Sequence, residues 1–406
     1  MLPMATLQQR WLILTAAPHR MFFATGLAWL LAWSAWWAIL LAVRAAGGGG
    51  LEPARPALLM HGAASLFLAY VPFMYGFLLT VYPRWMPAPQ PGRAAMLWAF
   101  GLVNAGNLLF LASLGASRAW AVAGWLLATA ALVVIGATLL RILVRAERRV
   151  SHAYAALAGL AAGLAGMLLF AYALSTGDFS AWPLVRGLGL WGLLLVVYFA
   201  VCHRMIPFFS SRVVPGYASW RPDWILYLFV VLALARALLE TAPAIAWLAS
   251  VPMAGIALTC ALRWRPRVRS GPRLLAALHI AFAWLPFALV LAAVADLAAL
   301  LGVPGLLGRA PLHALGLGFF GGMLVAMVTR VTLGHSGRPL ALDALTWRLF
   351  LAVQAAAGLR VAAEFLPPAA AWLSLGAALT WVAVLLAWAT LNLPVYVRPR
   401  ADGAPG

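Results

Sequence analysis

Apolar runs of about twenty residues recur from one end of the chain to the other, parted by short breaks rich in Gly, Pro and Arg. A helix rising ~1.5 Å per residue needs ~20 residues to cross ~30 Å of hydrocarbon, so each run is long enough to span a bilayer. Twelve spans are predicted, over roughly 21–43, 58–82, 95–113, 119–140, 152–174, 184–206, 224–241, 244–262, 274–301, 311–329, 344–366 and 369–392. Helix-ending residues mark the breaks, among them Gly47 to Gly50, Pro87 to Gly92, Gly177-Asp178, Pro215-Gly216, Pro266, Pro304-Gly305 and Pro367-Pro368. The 274–301 run is long enough to tilt or to include an interfacial turn. Lipid offers no partner to backbone N–H and C=O groups, which must therefore pair within each segment. The fold class is all-α: a polytopic membrane protein of about twelve helices, residues 1–406 forming one integral membrane domain. The first run exceeds a signal-peptide core and lacks a cleavage site, so it counts as a span.

Composition agrees with the pattern. Of 406 residues, 65% are hydrophobic and 9% charged, against about a quarter charged in soluble domains. The net charge of +19 carries topology rather than nucleic-acid binding, because the 28 basic residues, all arginine, sit in short loops. The termini and even-numbered loops hold 21 of them and the opposite side 7. That asymmetry puts both termini on the cytoplasmic side. The clusters Arg141 to Arg149 and Arg263 to Arg273 read as anchors against an anionic leaflet, and the lipid bilayer is the one certain partner. Two cysteines, Cys202 and Cys260, make no disulfide framework. Walker, HExxH and paired-carboxylate motifs are absent, so hydrolysis has no apparatus.

Topology sorts the seven histidines by depth. His61 and His313 open spans that run in the same direction and fall in one outer layer; His19, His152, His203 and His335 fall at the cytoplasmic edge, and His279 in the inner part of span 9. Two imidazoles at equal depth on different helices suit axial ligation of one haem, with Gly62, Ala63, Ala64, Ala314, Gly316 and Gly318 leaving room for a macrocycle. Helix packing and interhelical hydrogen bonds explain the same residues without a cofactor. Arg236-Glu240 and Arg360-Glu364 are spaced i,i+4 on the outer side: either self-neutralising pairs, or a source of guanidinium for haem propionates. At the inner edge His19, His203 and His335, with Cys202, supply N and S donors that suit copper or iron if three segments converge. Neighbours on a helix point ~100° apart, so Cys202 and His203 do not share an ion. Asn104 and Asn107 are placed to bond across helices.

Several segments carry a family resemblance. Val328 to Leu340, VTRVTLGHSGRPL, is similar to the MTRxTLGHTGRPL turn of the NnrS family, with Arg330, His335 and Arg338 on matching positions and His313 upstream. Pro18 to Phe23 matches its PxRxFF start through Arg20, Gly76 to Thr80 its GFLLT, and Arg204 to Ser210 its RxIPxFT. The family's HxHE falls on His61, Gly62, Ala63 and Ala64, so the second histidine and the glutamate are replaced. A more distant similarity, through His61-Gly62 and Phe67, is to the catalytic subunit of haem-copper oxidases, whose helices 2 and 10 carry haem histidines; the paired histidines of its copper centre have no counterpart here.

The resemblance implies a haem- and copper-associated inner-membrane protein tied to nitric oxide or nitrosative-stress tolerance, served by an electron-donor protein or quinol. A transporter of a small molecule or of haem, and a family member that has lost its cofactor, are the competing readings.

Overall fold

The computed structural model describes residues 6–49, 52–265 and 272–403; Gly50, Pro266, Arg267 and Arg269 lie outside them. Among the described residues every regular element is helical. Eleven helices are long and apolar enough to cross a membrane: α1 (Pro18–Ala45), α2 (Ala57–Trp85), α3 (Arg93–Ala112), α4 (Arg118–Arg145), α5 (Ser151–Thr176), α6 (Trp182–Val213), α7 (Asp223–Thr241), α8 (Trp247–Trp264), α9 (Arg273–Leu300), α10 (Ala310–His335) and α12 (Pro367–Tyr396). The twelfth predicted span is α11 (Ala344–Ala362), more polar because it carries Arg348, Gln354 and Arg360, and capped by Asp343, whose carboxylate accepts from the Thr346 backbone N–H at 2.7 Å. A short exposed helix, Leu7–Leu14, precedes α1.

The helices form a closed ring around three others. Packing runs α1 to α3, α4, α5, α7, α8, α9, α11, α12 and back to α1, while inside it α2 touches α6, Tyr70 of α2 reaches Gly316 of α10, and Tyr198 of α6 packs on Phe320 of α10. Their most apolar windows are 89%, 78% and 78% buried, against 22–56% in the other long apolar helices, so these three meet little lipid. The fit between ring helices rests on small residues. A Cβ added to Gly124 would lie 2.5 Å from the Phe110 backbone N, and one on Gly106 2.7 Å from that of Ala128, which locks α3 to α4 at backbone contact. Asn104 and Asn107 do bond across helices, accepting from the indoles of Trp29 and Trp33, each at 2.9 Å.

Several helices outrun their predicted ends. The 184–206 span continues to Val213 through Pro207, whose missing N–H the helix tolerates in protein surroundings, and the 274–301 run is one helix that keeps Pro286 inside it. Arg20 of α1 donates to the carbonyls of Tyr396 (3.3 Å) and Arg398 (2.8 Å), so the start of α1 and the end of α12 share one face. That is the arginine-rich face.

Candidate functional site

Each inner helix carries a stretch of π-helix: Ala64–Ala69 in α2, Leu188–Leu195 in α6 and Ala314–Gly321 in α10. An i→i+5 turn widens the helix and re-aims side chains, and such segments are often functional. The glycines let these widened turns pack. Phe67 of the α2 segment lies where a Cβ on Gly189 (2.7 Å) or on Gly166 of α5 (2.9 Å) would stand, and Tyr70 donates its hydroxyl to the Gly316 carbonyl at 3.0 Å.

His61 and His313 sit at the heads of two of these segments. The start of α2 and the start of α10 share the face opposite the arginine-rich one, where both imidazoles are half-buried. His313 Nδ1–H donates to the Arg309 carbonyl at 3.0 Å, which leaves Nε2 as the basic, ligand-capable nitrogen. The His61 ring stacks on Trp37, centroids 4.1 Å apart and planes 11° off parallel. Arg309 and Arg360 bring positive charge within reach of both histidines, and Arg360 also holds Glu364 at 2.8 Å. Space is left beside Gly316, where an added Cβ would meet no atom within 4 Å. Arg309 was not picked out from the sequence; its position one helical turn before His313 was the available sign.

Arg236 is elsewhere employed. Its guanidinium donates to Asp296 at 3.0 and 3.1 Å, to Glu240 at 2.8 Å and to Ser250 at 3.0 Å, and it lies 4.9 Å from the Trp191 ring centroid. Glu240 also accepts from Arg186 and from the Trp191 indole. Two arginines and two carboxylates thus neutralise each other in the bundle, so the charge of Arg236 is already balanced within the network. Of the two sequence readings of Arg236, a self-neutralising pair or a propionate contact, the structure shows the pair with Glu240 and adds Asp296 to it.

On the arginine-rich face the predicted metal candidates separate. His19 and His335 come together, ring centroids 4.4 Å apart, whereas His203 pairs with His152 through Nδ1 and Nε2 at 2.9 Å. Among the described residues no group of three His, Cys, Asp or Glu is placed to hold a metal, so His19, His203 and His335 do not form a ligand set. Arg84 donates to His335 Nε2 at 3.2 Å, occupying the lone pair a metal would need. The motif arginines divide as well: Arg20 pins the C-terminal carbonyls, Arg330 lies 3.8 Å over the Phe209 ring centroid, Arg204 5.1 Å over that of Trp85, and Arg338 accompanies the His335 turn.

Between α2, α6 and α10, on the inner side of the π segments, lies an apolar cavity whose lining includes Met74, Tyr198, Cys202, Met323 and Met327. Cys202 is therefore a cavity wall, not a partner of His203.

No curated protein matches the chain. The family comparison does reach nearly its whole length and covers both the histidine pair and the turn at the arginine-rich face: over residues 13–400 the chain matches the NnrS protein family, and it belongs to that family.

Proposed function

We propose that the chain binds one haem through His61 and His313 and acts in nitric oxide or nitrosative-stress tolerance at the bacterial inner membrane. Family membership supports a nitric-oxide-linked membrane protein. The observation that carries the finer reading is the histidine pair itself: two imidazoles heading neighbouring π segments, one with Nε2 freed by its bond to the Arg309 carbonyl.

The residues fit haem in donor chemistry. Two neutral nitrogen donors, open space beside Gly316 and the guanidiniums of Arg309 and Arg360 match iron, a flat ring and its carboxylates respectively. Among the described residues no three protein donors gather at these histidines to hold copper. Bound haem would supply a redox-active iron. The chain's part is to fix the His313 ring through the Arg309 carbonyl, to shield His61 from water with the face of Trp37, and to set positive charge against the haem carboxylates. The cavity below suits an uncharged diatomic such as nitric oxide, since apolar cavities stay dry. A redox role would take its electrons from a partner protein or a quinol.

Protein purified in mild detergent from haem-replete cells is expected to show a Soret band that His61→Ala and His313→Ala each reduce. A full band in the double variant would sink the assignment.

A further inference from the structure

The three π segments end at Ala69 of α2, Leu195 of α6 and Gly321 of α10, and the stretches just after them, 73–78, 197–202 and 323–328, enclose the apolar cavity. Each helix lines it with residues at i, i+1, i+4 and i+5, which is one stripe along one face, so three stripes face a common space. That space measures about 50 Å³. A single water needs ~10–15 Å³ and two to four polar partners, whereas a dry cavity of ~150 Å³ takes benzene or xenon. The cavity here is larger than a packing fault and too small for benzene, a quinone ring or haem. Its size selects an atom or a molecule of two or three atoms.

The lining side chains are carbon and sulfur with one exception. Tyr198 is 9% exposed, and its ring is held against Phe319 and Phe320 at centroid distances of 6.0 and 4.8 Å. Tyr70 spends its hydroxyl on the Gly316 carbonyl, but that of Tyr198 has no hydrogen-bond partner among the described residues. Protein atoms do not seal it off either, so it faces the cavity. Buried hydroxyls are nearly always paired, and a water taking this donor would find no second partner among the side chains around it. A small uncharged molecule with one acceptor end satisfies the hydroxyl and fills the apolar remainder. Anions are excluded, because no cationic side chain lines the cavity to repay their desolvation.

We propose that this cavity is the binding site for nitric oxide, with the Tyr198 hydroxyl donating to the ligand's acceptor end, and that the gas is held here and not at iron. The choice of gas rests on the function proposed above; the site itself needs no haem. It also resolves a difficulty of that function, since a haem held on both axial sides by His61 and His313 keeps no open position for a diatomic.

The test uses the full chain in mild detergent without oxygen, with two probes: xenon, followed by xenon NMR, and nitric oxide, followed by its infrared stretch. Cys202→Met extends a flexible arm into the cavity, Tyr198→Phe removes the hydroxyl and keeps the ring, and Cys260→Met alters a buried thiol outside the lining as control. Saturable binding of both probes is expected in the wild type and in Cys260→Met, and of neither in Cys202→Met. Tyr198→Phe should keep xenon, weaken nitric oxide about threefold, the equivalent of one neutral hydrogen bond, and move its stretch toward the value in hydrocarbon. That split between the probes decides the matter even if Cys202→Met fails to fold. No saturable xenon in the wild type, undiminished binding in Cys202→Met, or nitric oxide unaffected by Tyr198→Phe overturns the proposal. The combined His61→Ala/His313→Ala variant separates it from the haem reading. Loss of nitric oxide there with xenon retained puts the gas on haem and overturns the cavity site; a wild type that binds both probes without a Soret band refutes the haem and leaves the cavity site standing.

Discussion

Replacing Asp296 by leucine should unbalance the charge network around Arg236. Both side chains are almost wholly withdrawn from the surface, at 8% exposure for Arg236 and 6% for Asp296, and Asp296 accepts two of the arginine's donors and the Ser250 hydroxyl. In the variant Arg186 and Arg236 share Glu240 alone, leaving an excess positive charge in the network. Breaking a buried pair from one side costs ~3–5 kcal/mol. With an unfolding entropy of ~2 cal/mol/K per residue over the chain, that lowers the melting midpoint by ~4–6 °C; helices that remain inserted release less entropy, so the fall is at least as large. The companion Arg236→Met/Asp296→Leu removes one charge of each sign and keeps the Arg186–Glu240 bridge, so most of the loss should return. Thermal unfolding of detergent-purified protein, read by the loss of monodisperse material, compares the three. If the double variant is no more stable than Asp296→Leu, or if Asp296→Leu matches the wild type, electrostatic balance is not what holds this network.

Two further outcomes follow from the packing and the caps. Gly124→Val should destabilise the bundle by ~1–3 kcal/mol, because its side chain meets the Phe110 backbone; Gly101→Val, on the same helix pair with nothing within 4 Å, should be near neutral, and equal melting points would refute the close α3–α4 contact. Asp343→Ala should cost ~1 kcal/mol by uncapping α11. The Thr346 N–H holds the Asp343 carboxyl below its ordinary range, so this contribution is complete above the unfolded pKa of ~3.9 and disappears as pH falls through the lower folded value. A wild-type to variant gap that did not narrow in acid would contradict it.

Sequence alone was enough for the helical class, the approximate spans and the alternation of direction, because the length of an apolar run and the placing of arginine answer directly to bilayer thickness and loop charge. It also put His61 and His313 in one layer, since depth along a helix is counted in residues. What it could not give is who sits inside. Lipid tails and protein interiors are equally apolar, so α2, α6 and α10 do not stand out from the ring helices by hydropathy; their place became visible only through packing, as did the π segments that follow both histidines. Partner choice among polar groups was hidden for the same reason. Arg236 and Glu240 are four residues apart, but Asp296 lies sixty residues on, and only tertiary structure turned a possible cofactor contact into a closed network. His203 found His152 instead of His19 and His335, while Arg84 joined the latter pair and occupies the His335 Nε2 lone pair. One-dimensional spacing fixes depth and face within a single helix; the rotation of each helix about its axis, which decides what a side chain meets, is set by all its neighbours at once.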